Sequence, residues 1–467
     1  MATIFTIEFL LGFWIFFIIY WLVSPLPRVQ NCLLLLCGYY FVYLISFYSL
    51  VVLLSWSTCV WVMVKFSKKK GCEKKASLIL IVLMLIYFIL FKYCIPIEDW
   101  LQSYLESKNI FLALPTINIL LPLGLSFYLF NSVSLVESVA KRKIIDPDVI
   151  SVLLYINFIP TLIAGPVNRA VDLLPQIQTK RRSILDFKHA FYLITLALIK
   201  LFMLSSGLSE MLVNTVFSMP ANQYGWDTII GVYGWAWTIY FNFSGYTDLV
   251  TGIAMLLGYQ IPKNFDHPYN SSSLQEFWRR WHISLSNFIR DYIYFPLGGS
   301  RGLFSKTQIN IMIAMILSGI WHGAGINFLI WGVIHGIGLT VYNIWNRWRY
   351  IIVKCPLNET IARLLTFHYI CFSWVFFRAD SLTDAMVLLN SIVHSNILAI
   401  TSTQLLVIIL FNLLIVIYPW LVNVSSTGAE ILIRMKWYAL PFIIIPTLTV
   451  AFFFSPSGVP GFIYANF

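Results

Sequence analysis

The chain has 467 residues, of which 59% are hydrophobic and only 11% are charged. This composition excludes a soluble globular protein, because a chain this apolar has too few polar residues to cover a surface exposed to water. The formal net charge of +11 does not indicate nucleic-acid binding, because the positive residues cluster in short connections between apolar runs, at 65–75, 141–143 and 180–182. That arrangement is typical of the cytoplasmic loops of a membrane protein.

Long apolar runs predict membrane-spanning helices, each of which needs about 20 residues to cross a bilayer core of about 30 Å. The run that begins at residue 9 lacks the basic start and the small-residue cleavage site of a signal peptide, so we expect a retained helix. In chain order, the apolar runs are 9–23, 32–64 (long enough for two helices), 77–91, 111–130, 191–208, 229–243, 249–261, 309–321, 327–345, 364–377, 405–421 and 438–454. Several of them must borrow flanking residues to span.

Residues 144–179 lie between two basic clusters and are interrupted by Pro160, Gly165 and Pro166. A segment that enters and leaves on the same side is expected to be re-entrant, and protein or a cavity must then surround its irregular backbone. The whole chain, 1–467, is therefore predicted to be a single all-α integral membrane domain with roughly 11–13 spanning or re-entrant helices. The basic residues place the first residue and the tail 455–467 outside the cytoplasm.

Residues 273–296 are too polar to span a membrane, yet they carry apolar and aromatic residues at helical spacing. The pattern predicts an amphipathic helix that lies at the membrane interface or lines a cavity. It contains His282, which follows Arg279, Arg280 and Trp281. A surface-lying anchor helix with snorkelling basic side chains would have the same periodicity.

A second histidine, His322, lies in a stretch without a charged residue from 308 to 345. A helix that reaches Trp321 from residue 308 rises about 20 Å, so His322 is expected inside the bilayer, next to a break that Gly323 and Gly325 permit. A histidine at membrane depth is a candidate functional residue, although buried histidines are often structural. His335, about two turns into the next span, competes with His322 for the role.

The seven cysteines are scattered and form no CxxC pair, and the sequence has no HExxH, GxGxxG or P-loop motif. We therefore expect no bound metal and no bound cofactor, and the sequence identifies no cofactor-binding residues. The cysteines are expected to serve as small apolar residues within helices.

The stretch 273–302, which contains RRWH, together with SGIWHG at 318–323, closely resembles the membrane-bound O-acyltransferases, in particular the bacterial alginate and peptidoglycan O-acetylation proteins. The segments GYTD at 245–248 and PKNFDHPY at 262–269 resemble the family too, and the likeness covers most of 110–345, the expected catalytic core. The resemblance implies a bundle of helices around a tunnel through the membrane. It also implies that His322 is the catalytic histidine and that His282 is its polar partner.

From this resemblance we expect an O-acyltransferase of the bacterial cytoplasmic (inner) membrane that moves an acyl group, expected to be acetyl, toward a cell-envelope polysaccharide. The donor is expected to be acetyl-CoA or another acyl thioester on the cytoplasmic side. A separate extracytoplasmic transferase of the SGNH type is expected to complete the transfer to the glycan. A polysaccharide or lipid transporter, in which polar groups line a conduction path, is one alternative. An assembly scaffold with inert histidines is the other.

The last residues, FIYANF at 462–467, follow a stretch in which Pro456, Gly458 and Pro460 break any helix. Their F-x-Y-x-x-F spacing is similar to the acyl-accepting tyrosine motif of the small partner protein in teichoic acid D-alanylation. That resemblance implies that Tyr464 carries the acyl group as an ester between the tunnel and the final acceptor. An aromatic anchor at the membrane interface is the alternative.

Overall fold

The computed structural model of the protein describes residues 6–110, 119–352, 358–455, 461 and 463. Within these residues the chain is built from α-helices, with short π-helical and 3-10 segments and no β-strand. The chain divides into two compact units. The first comprises Met1–Ala190 with Val250–Pro262, and the second comprises Phe191–Leu249 with Lys263–Phe467.

The first unit is a bundle of apolar helices. The indole N–H of fully buried Trp56 donates to Ser132 Oγ at 2.9 Å, which links two neighbouring helices of the bundle. The predicted run 32–64 is confirmed as two helices. The helices of this unit are Ile7–Leu22, Pro27–Ile45, Phe47–Ser67, Glu73–Phe88, Cys94–Ser107, Leu125–Ala140, Val149–Ile156, Ile159–Leu162 and Ala170–Ile177, with a π-helical segment at Ile89–Tyr93.

The segment predicted to be re-entrant is folded into three short helices of 8, 4 and 8 residues. At about 1.5 Å per residue, none of them reaches across a bilayer core of about 30 Å. Their inner faces are enclosed by protein: Tyr155 and Leu174 are fully buried, and the Tyr155 hydroxyl donates to the Asn168 carbonyl at 2.9 Å. Irregular backbone at membrane depth is tolerated only in surroundings of this kind.

Arg182 ties several parts of the first unit together through uncharged groups. Its Nη1 donates to Tyr20 Oη and to Gln30 Oε1, both at 3.0 Å, and its Nη2 donates to Asn31 Oδ1 at 3.1 Å. Two main-chain carbonyls also accept from Nη2, at 3.1 and 3.2 Å. The guanidinium plane lies over the ring of Tyr259, with 4.3 Å between the guanidinium carbon and the ring centroid. The charge is therefore held by dipoles and an aromatic face.

The second unit contains both candidate histidines. Lys200, the charge that interrupts the predicted span 191–208, pairs with Asp248 at 2.6 Å. Helix Phe187–Leu198 has its first residues in the first unit, and helix Gly225–Leu256 has its last residues in the first unit. The α-helices are Phe187–Leu198, Ser206–Leu208, Asn214–Ser218, Gly225–Leu256, Leu274–Arg280, Ile283–Ile289, Phe304–His322, Ile326–Ile352, Glu359–Arg378, Leu382–Val393, Ser402–Arg434 and Pro441–Phe453. The π-helical segments are Ile199–Ser205, Ser209–Val213 and Arg290–Tyr294, and the 3-10 segments are Pro220–Asn222, Pro268–Asn270, Ile397–Ala399 and Trp437–Ala439.

Four predicted elements were wrong in their boundaries. The runs 229–243 and 249–261 belong to one helix, Gly225–Leu256, because the polar residues between them pack within the protein and do not form a loop. The helix predicted at 111–130 begins only at Leu125 and continues to Ala140, and residues 111–118 lie outside the described part of the chain. The amphipathic helix predicted across 273–296 is broken into two short helices.

In the described part of the chain, seven helices are long and apolar enough to cross a membrane: Pro27–Ile45, Phe47–Ser67, Glu73–Ser107, Phe187–Ser218, Ile326–Trp348, Glu359–Arg378 and Ser402–Arg434. Four shorter apolar helices accompany them: Ile7–Leu22, Leu125–Ala140, Leu382–Val393 and Trp437–Phe453. These helices confirm the prediction of an all-α, multi-pass integral membrane protein.

Candidate active site

His282 occupies the break between two short helices. Leu274–Arg280 ends before Trp281, and Ile283–Ile289 begins directly after His282. His282 itself has φ 42° and ψ 54°, in the left-handed region that only a few per cent of non-glycine residues occupy. Such a conformation persists only where the surrounding structure fixes it, and it often marks a functional position.

Main-chain hydrogen bonds from the preceding segment fix this break. The Ile283 N–H donates to the Asn264 carbonyl, and the Asp266 N–H donates to the Arg280 carbonyl, both at 2.9 Å. The Arg280 guanidinium donates to Glu276 Oε1 at 3.0 Å, and it also donates to the Asp266 carbonyl at 3.1 Å. The chain around 264–266 therefore runs beside the break and supplies the hydrogen bonds that a continuous helix would have made.

The side chain of Asn264 sets the protonation of His282. Asn264 Oδ1 accepts from the Ser284 N–H at 3.3 Å and from Ser284 Oγ at 2.8 Å, and it lies 3.0 Å from His282 Nδ1. Because a main-chain N–H can only donate, the Asn264 atom that faces it must be the oxygen. His282 Nδ1 must then carry the proton, and Nε2 presents a lone pair.

Burial keeps His282 neutral. The side chain is 1% exposed, and Phe243 packs edge-on against the imidazole with 4.7 Å between ring centroids. His282 lies outside the seven candidate spans, and burial lowers its pKa to about 3. A neutral imidazole with an accepting Nε2 can orient a hydroxyl group or take its proton.

His322 lies where the ends of three helices meet. It is the last residue of Phe304–His322, and Gly323 after it is extended. Asn327, at the start of the next helix, donates from Nδ2 to the carbonyls of Phe376 and Ala379, at 3.1 and 2.9 Å. These bonds tie the turn after His322 to the end of Glu359–Arg378. The predicted break beside His322 is thus confirmed.

A close approach of two helices supports this turn. A Cβ atom on Gly319 would lie 2.3 Å from the Phe328 carbonyl oxygen, and one on Gly332 would lie 2.5 Å from the Met315 carbonyl oxygen. A Cβ atom essentially never lies this close to a carbonyl oxygen in a protein. Only glycine therefore allows Phe304–His322 and Ile326–Ile352 to approach this closely. The hairpin places His322 between the two helices, where it is 3% exposed.

Aromatic rings connect the two predicted histidines. The Trp321 ring centroid lies 6.3 Å from that of His282 and 4.6 Å from that of His322. On its other sides His322 contacts Trp331 at 4.9 Å and Phe377 at 5.0 Å. The structure therefore brings both His282 and His322 against the indole of Trp321, with further aromatic rings around His322.

His335, the competing candidate, lies on the far side of Trp331, with 4.6 Å between their ring centroids. It is fully buried, and Trp278 Nε1 donates to its Nδ1 at 3.3 Å. Phe277 lies parallel to it at 6.5 Å. These contacts are those of a histidine that packs one helix against the next.

Tyr464 lies outside the described residues, as do its neighbours Phe462 and Phe467. Two nearby residues are described. The Gly461 carbonyl accepts from Asn242 Nδ2 at 3.2 Å, and the Ile463 N–H donates to Asn242 Oδ1 at 3.1 Å.

Sequence reasoning missed the roles of Asn264 and Asn242. Asn264 stands in the family-like segment 262–269, but no local pattern connects it to a histidine 18 residues later. Asn242 lies within an apolar run, where an isolated amide could have been noted as a polar group that needs a partner.

The protein was compared with known protein families and curated proteins. The sequence model of the membrane-bound O-acyltransferase family matches residues 34–354. The chain is 30% identical to a peptidoglycan O-acetyltransferase of Helicobacter pylori, over 60% of this chain and 58% of the relative. It is 34% identical to the probable alginate O-acetylase AlgI of Pseudomonas aeruginosa, over 57% of this chain and 51% of the relative.

A teichoic acid D-alanyltransferase of Bacillus subtilis is 28% identical over 56% of this chain and 70% of the relative. The matched part thus spans little more than half the length of the two O-acetylation relatives. The family model includes the helices that hold His282 and His322, and it begins well before residue 110, where the sequence resemblance was expected to start. The chain belongs to the membrane-bound O-acyltransferase family.

Proposed function

We propose that the protein is an O-acyltransferase that moves an acyl group from a cytoplasmic thioester to the outer side of a bacterial cytoplasmic membrane, for esterification of a cell-envelope polysaccharide. Two of the relatives named above are O-acetylases by name, which favours acetyl as the acyl group and acetyl-CoA as the donor. Alginate, peptidoglycan and other envelope glycans are all compatible acceptors.

The observation that carries the proposal is the pair of buried histidines that both contact Trp321. In the proposed reaction, His322 takes the proton of an attacking hydroxyl, and the oxygen forms a bond to the thioester carbonyl carbon. The carbon–sulfur bond then breaks, and the leaving thiolate receives the proton from His322. The products are an ester and a free thiol, and no metal or serine nucleophile enters the scheme.

His282 is assigned an orienting role in this reaction. With Nδ1–H donated to Asn264, its Nε2 is a hydrogen-bond acceptor that can orient a donor group of the substrate other than the hydroxyl whose proton His322 takes. Stabilisation of the oxyanion would need a donor at Nε2, and the neutral tautomer set by Asn264 offers a lone pair there. The geometry therefore favours orientation over oxyanion stabilisation as the role of His282.

Tyr464 is proposed as the first acceptor. Its phenol would attack the thioester with His322 as base, since a phenol is a weak nucleophile until its proton is removed. The tyrosyl ester would then pass its acyl group to a separate extracytoplasmic transferase of the SGNH type and from there to the glycan, with the phenol restored. The carrier explains how one membrane protein could deliver an activated acyl group to a polymer outside the cell.

Purified protein in nanodiscs, incubated with acetyl-CoA, tests the proposal. Free thiol should be released in a burst of up to one thiol per protein, as one acyl group is transferred to Tyr464. Thiol release should continue after the burst only when an acceptor is added. In proteoliposomes, movement of glycan across the membrane without any thiol release would instead identify a transporter.

A further inference from the structure

Asn242 has no part in the proposed acyl transfer, yet it is a fully buried polar side chain in the middle of helix Gly225–Leu256. A buried carboxamide needs hydrogen-bond partners, because an amide removed from water without them is destabilising. Among the described residues, both partners of the Asn242 side chain come from the tail of the chain, about 220 residues away in sequence, at Gly461 and Ile463.

The two bonds have opposite polarity and flank a single tail residue. Asn242 Nδ2 donates to the carbonyl before residue 462, and Asn242 Oδ1 accepts from the N–H after it. A carbonyl can only accept and an N–H can only donate, so the orientation of the amide is unambiguous. Both hydrogen bonds are made to main-chain atoms of the tail, the Gly461 carbonyl and the Ile463 N–H.

The helix that carries Asn242 also carries a residue that contacts the candidate active site. Phe243, the residue that follows Asn242, packs against the His282 imidazole at 4.7 Å. The helix that precedes the tail is held on the same unit, since Phe452 contacts Phe202 with 4.6 Å between ring centroids. The tail is therefore attached at two points, one on each side of residues 456–460.

We propose that Asn242 is a positioning residue that docks the tail by its main chain and so sets the register of Tyr464, the residue directly after Ile463. The inference rests on the carrier role of Tyr464 in the proposed function and deepens it. A slip of the tail by one residue would move the phenol by about 3.3–3.6 Å, more than a hydrogen-bonded base tolerates. Docking by Asn242 prevents that slip.

Asn242→Leu tests the docking itself, because leucine has a similar size and makes no hydrogen bond. In the full-length protein in nanodiscs, hydrogen–deuterium exchange in the peptide 455–467 should become at least about tenfold faster at the Ile463 amide. Asn310→Leu is the matched control, since Asn310 is also a buried helix amide (4% exposed) and donates to the Gly299 carbonyl at 2.9 Å. It should leave exchange in the tail as in the wild type, and equal tail exchange in wild type and Asn242→Leu would overturn the docking.

A second pair of variants changes only the tail and leaves the helix bundle intact. Ile463→Pro removes the N–H that donates to Asn242, whereas Ile463→Ala keeps it. The tail is tethered to the enzyme, so its release should affect kcat and leave the KM for acetyl-CoA unchanged. In Ile463→Pro and in Asn242→Leu, kcat should fall at least about tenfold. The control Ile463→Ala should retain most of the activity. A released tail with unchanged kcat would refute the positioning role.

The proposed function fails by a different measurement. If Tyr464→Phe transfers acyl groups at the wild-type rate, the carrier is wrong whatever the exchange data show. If Tyr464→Phe is inactive but Asn242→Leu has a protected tail and full activity, the carrier stands and the docking by Asn242 is wrong.

Discussion

Asn264 Oδ1 lies 3.0 Å from His282 Nδ1 and holds the imidazole in one tautomer. The same oxygen accepts two hydrogen bonds from Ser284, so the amide cannot rotate without leaving a buried N–H unpaired. Asn264 and His282 thus form a pair in which the amide orients the imidazole ring and the ring presents Nε2.

Because Asn264 and His282 act as a pair, their replacement is predicted to give non-additive losses of activity. Asn264→Ala and His282→Ala should each lower the rate of acyl transfer by about 10- to 100-fold, and the double variant should be no more than a few-fold worse than either single variant. Steady-state rates of thiol release from the three folded proteins measure the coupling. Losses that multiply would show that the two residues act independently.

Removal of the candidate base should have the largest effect. His322→Ala should lower transfer by about 10²- to 10⁴-fold, because general-base catalysis contributes about that much, and the variant should stay folded. His335→Gln is the control: it keeps a polar side chain beside Trp278 and should retain most of the activity. Wild-type transfer by a stably folded His322→Ala protein would contradict the assignment of His322.

Tyr464→Phe should abolish acylation of the glycan without a change in thermal stability, since it removes one oxygen and keeps the aromatic ring. Mass spectrometry of the C-terminal peptide during turnover should show an added acyl mass in the wild type. That mass should be absent in His322→Ala. Full glycan acylation by Tyr464→Phe would reduce the residue to a membrane-interface anchor.

The glycine contact between helices predicts a loss of stability. Gly332→Ala and Gly319→Ala should each destabilise the protein by about 1–3 kcal/mol or displace the turn at His322, because the new methyl group would meet main-chain atoms. Gly428→Ala is the control, since its added Cβ would meet no atom within 4 Å outside its own helix turn. Its unfolding temperature should equal or exceed that of the wild type. Equal unfolding temperatures for all four proteins would disprove the close contact.

The burial of His282 predicts a dependence of stability on pH. Because burial lowers the pKa of His282 from its ordinary value of 6.5 to about 3, unfolding exposes a group that binds a proton between these two pH values. The free energy of unfolding therefore contains a contribution that falls as the pH drops below 6.5 toward 3. Between pH 7 and pH 5, the unfolding temperature of His282→Asn should decrease less than that of the wild type. An equal decrease in both would indicate that burial does not lower the pKa of His282 in the folded protein.

The sequence predicts the parts of this protein that local patterns determine. Apolar runs predict most of the helices, and the glycines after Trp321 predict the break at His322. The break at His282 could not be predicted, because apolar spacing continues through 273–296 as in an unbroken helix. What interrupts it is Asn264, which bonds to Ile283 and Ser284 after the chain has folded back. The partners of Asn242 are equally remote, about 220 residues away, and no local pattern contains them.

The hydrogen-bond acceptors around Arg182 determine how this part of the first unit responds to acid. Each acceptor that the structure gives this guanidinium is a phenol, a carboxamide or a main-chain carbonyl, and no carboxylate lies among them. Among the described residues, acid therefore has no negative partner of this cation to remove. In the second unit, by contrast, Arg280 is held by Glu276. Acid that protonates Glu276 would release Arg280 and leave the hydrogen bonds of Arg182 unchanged.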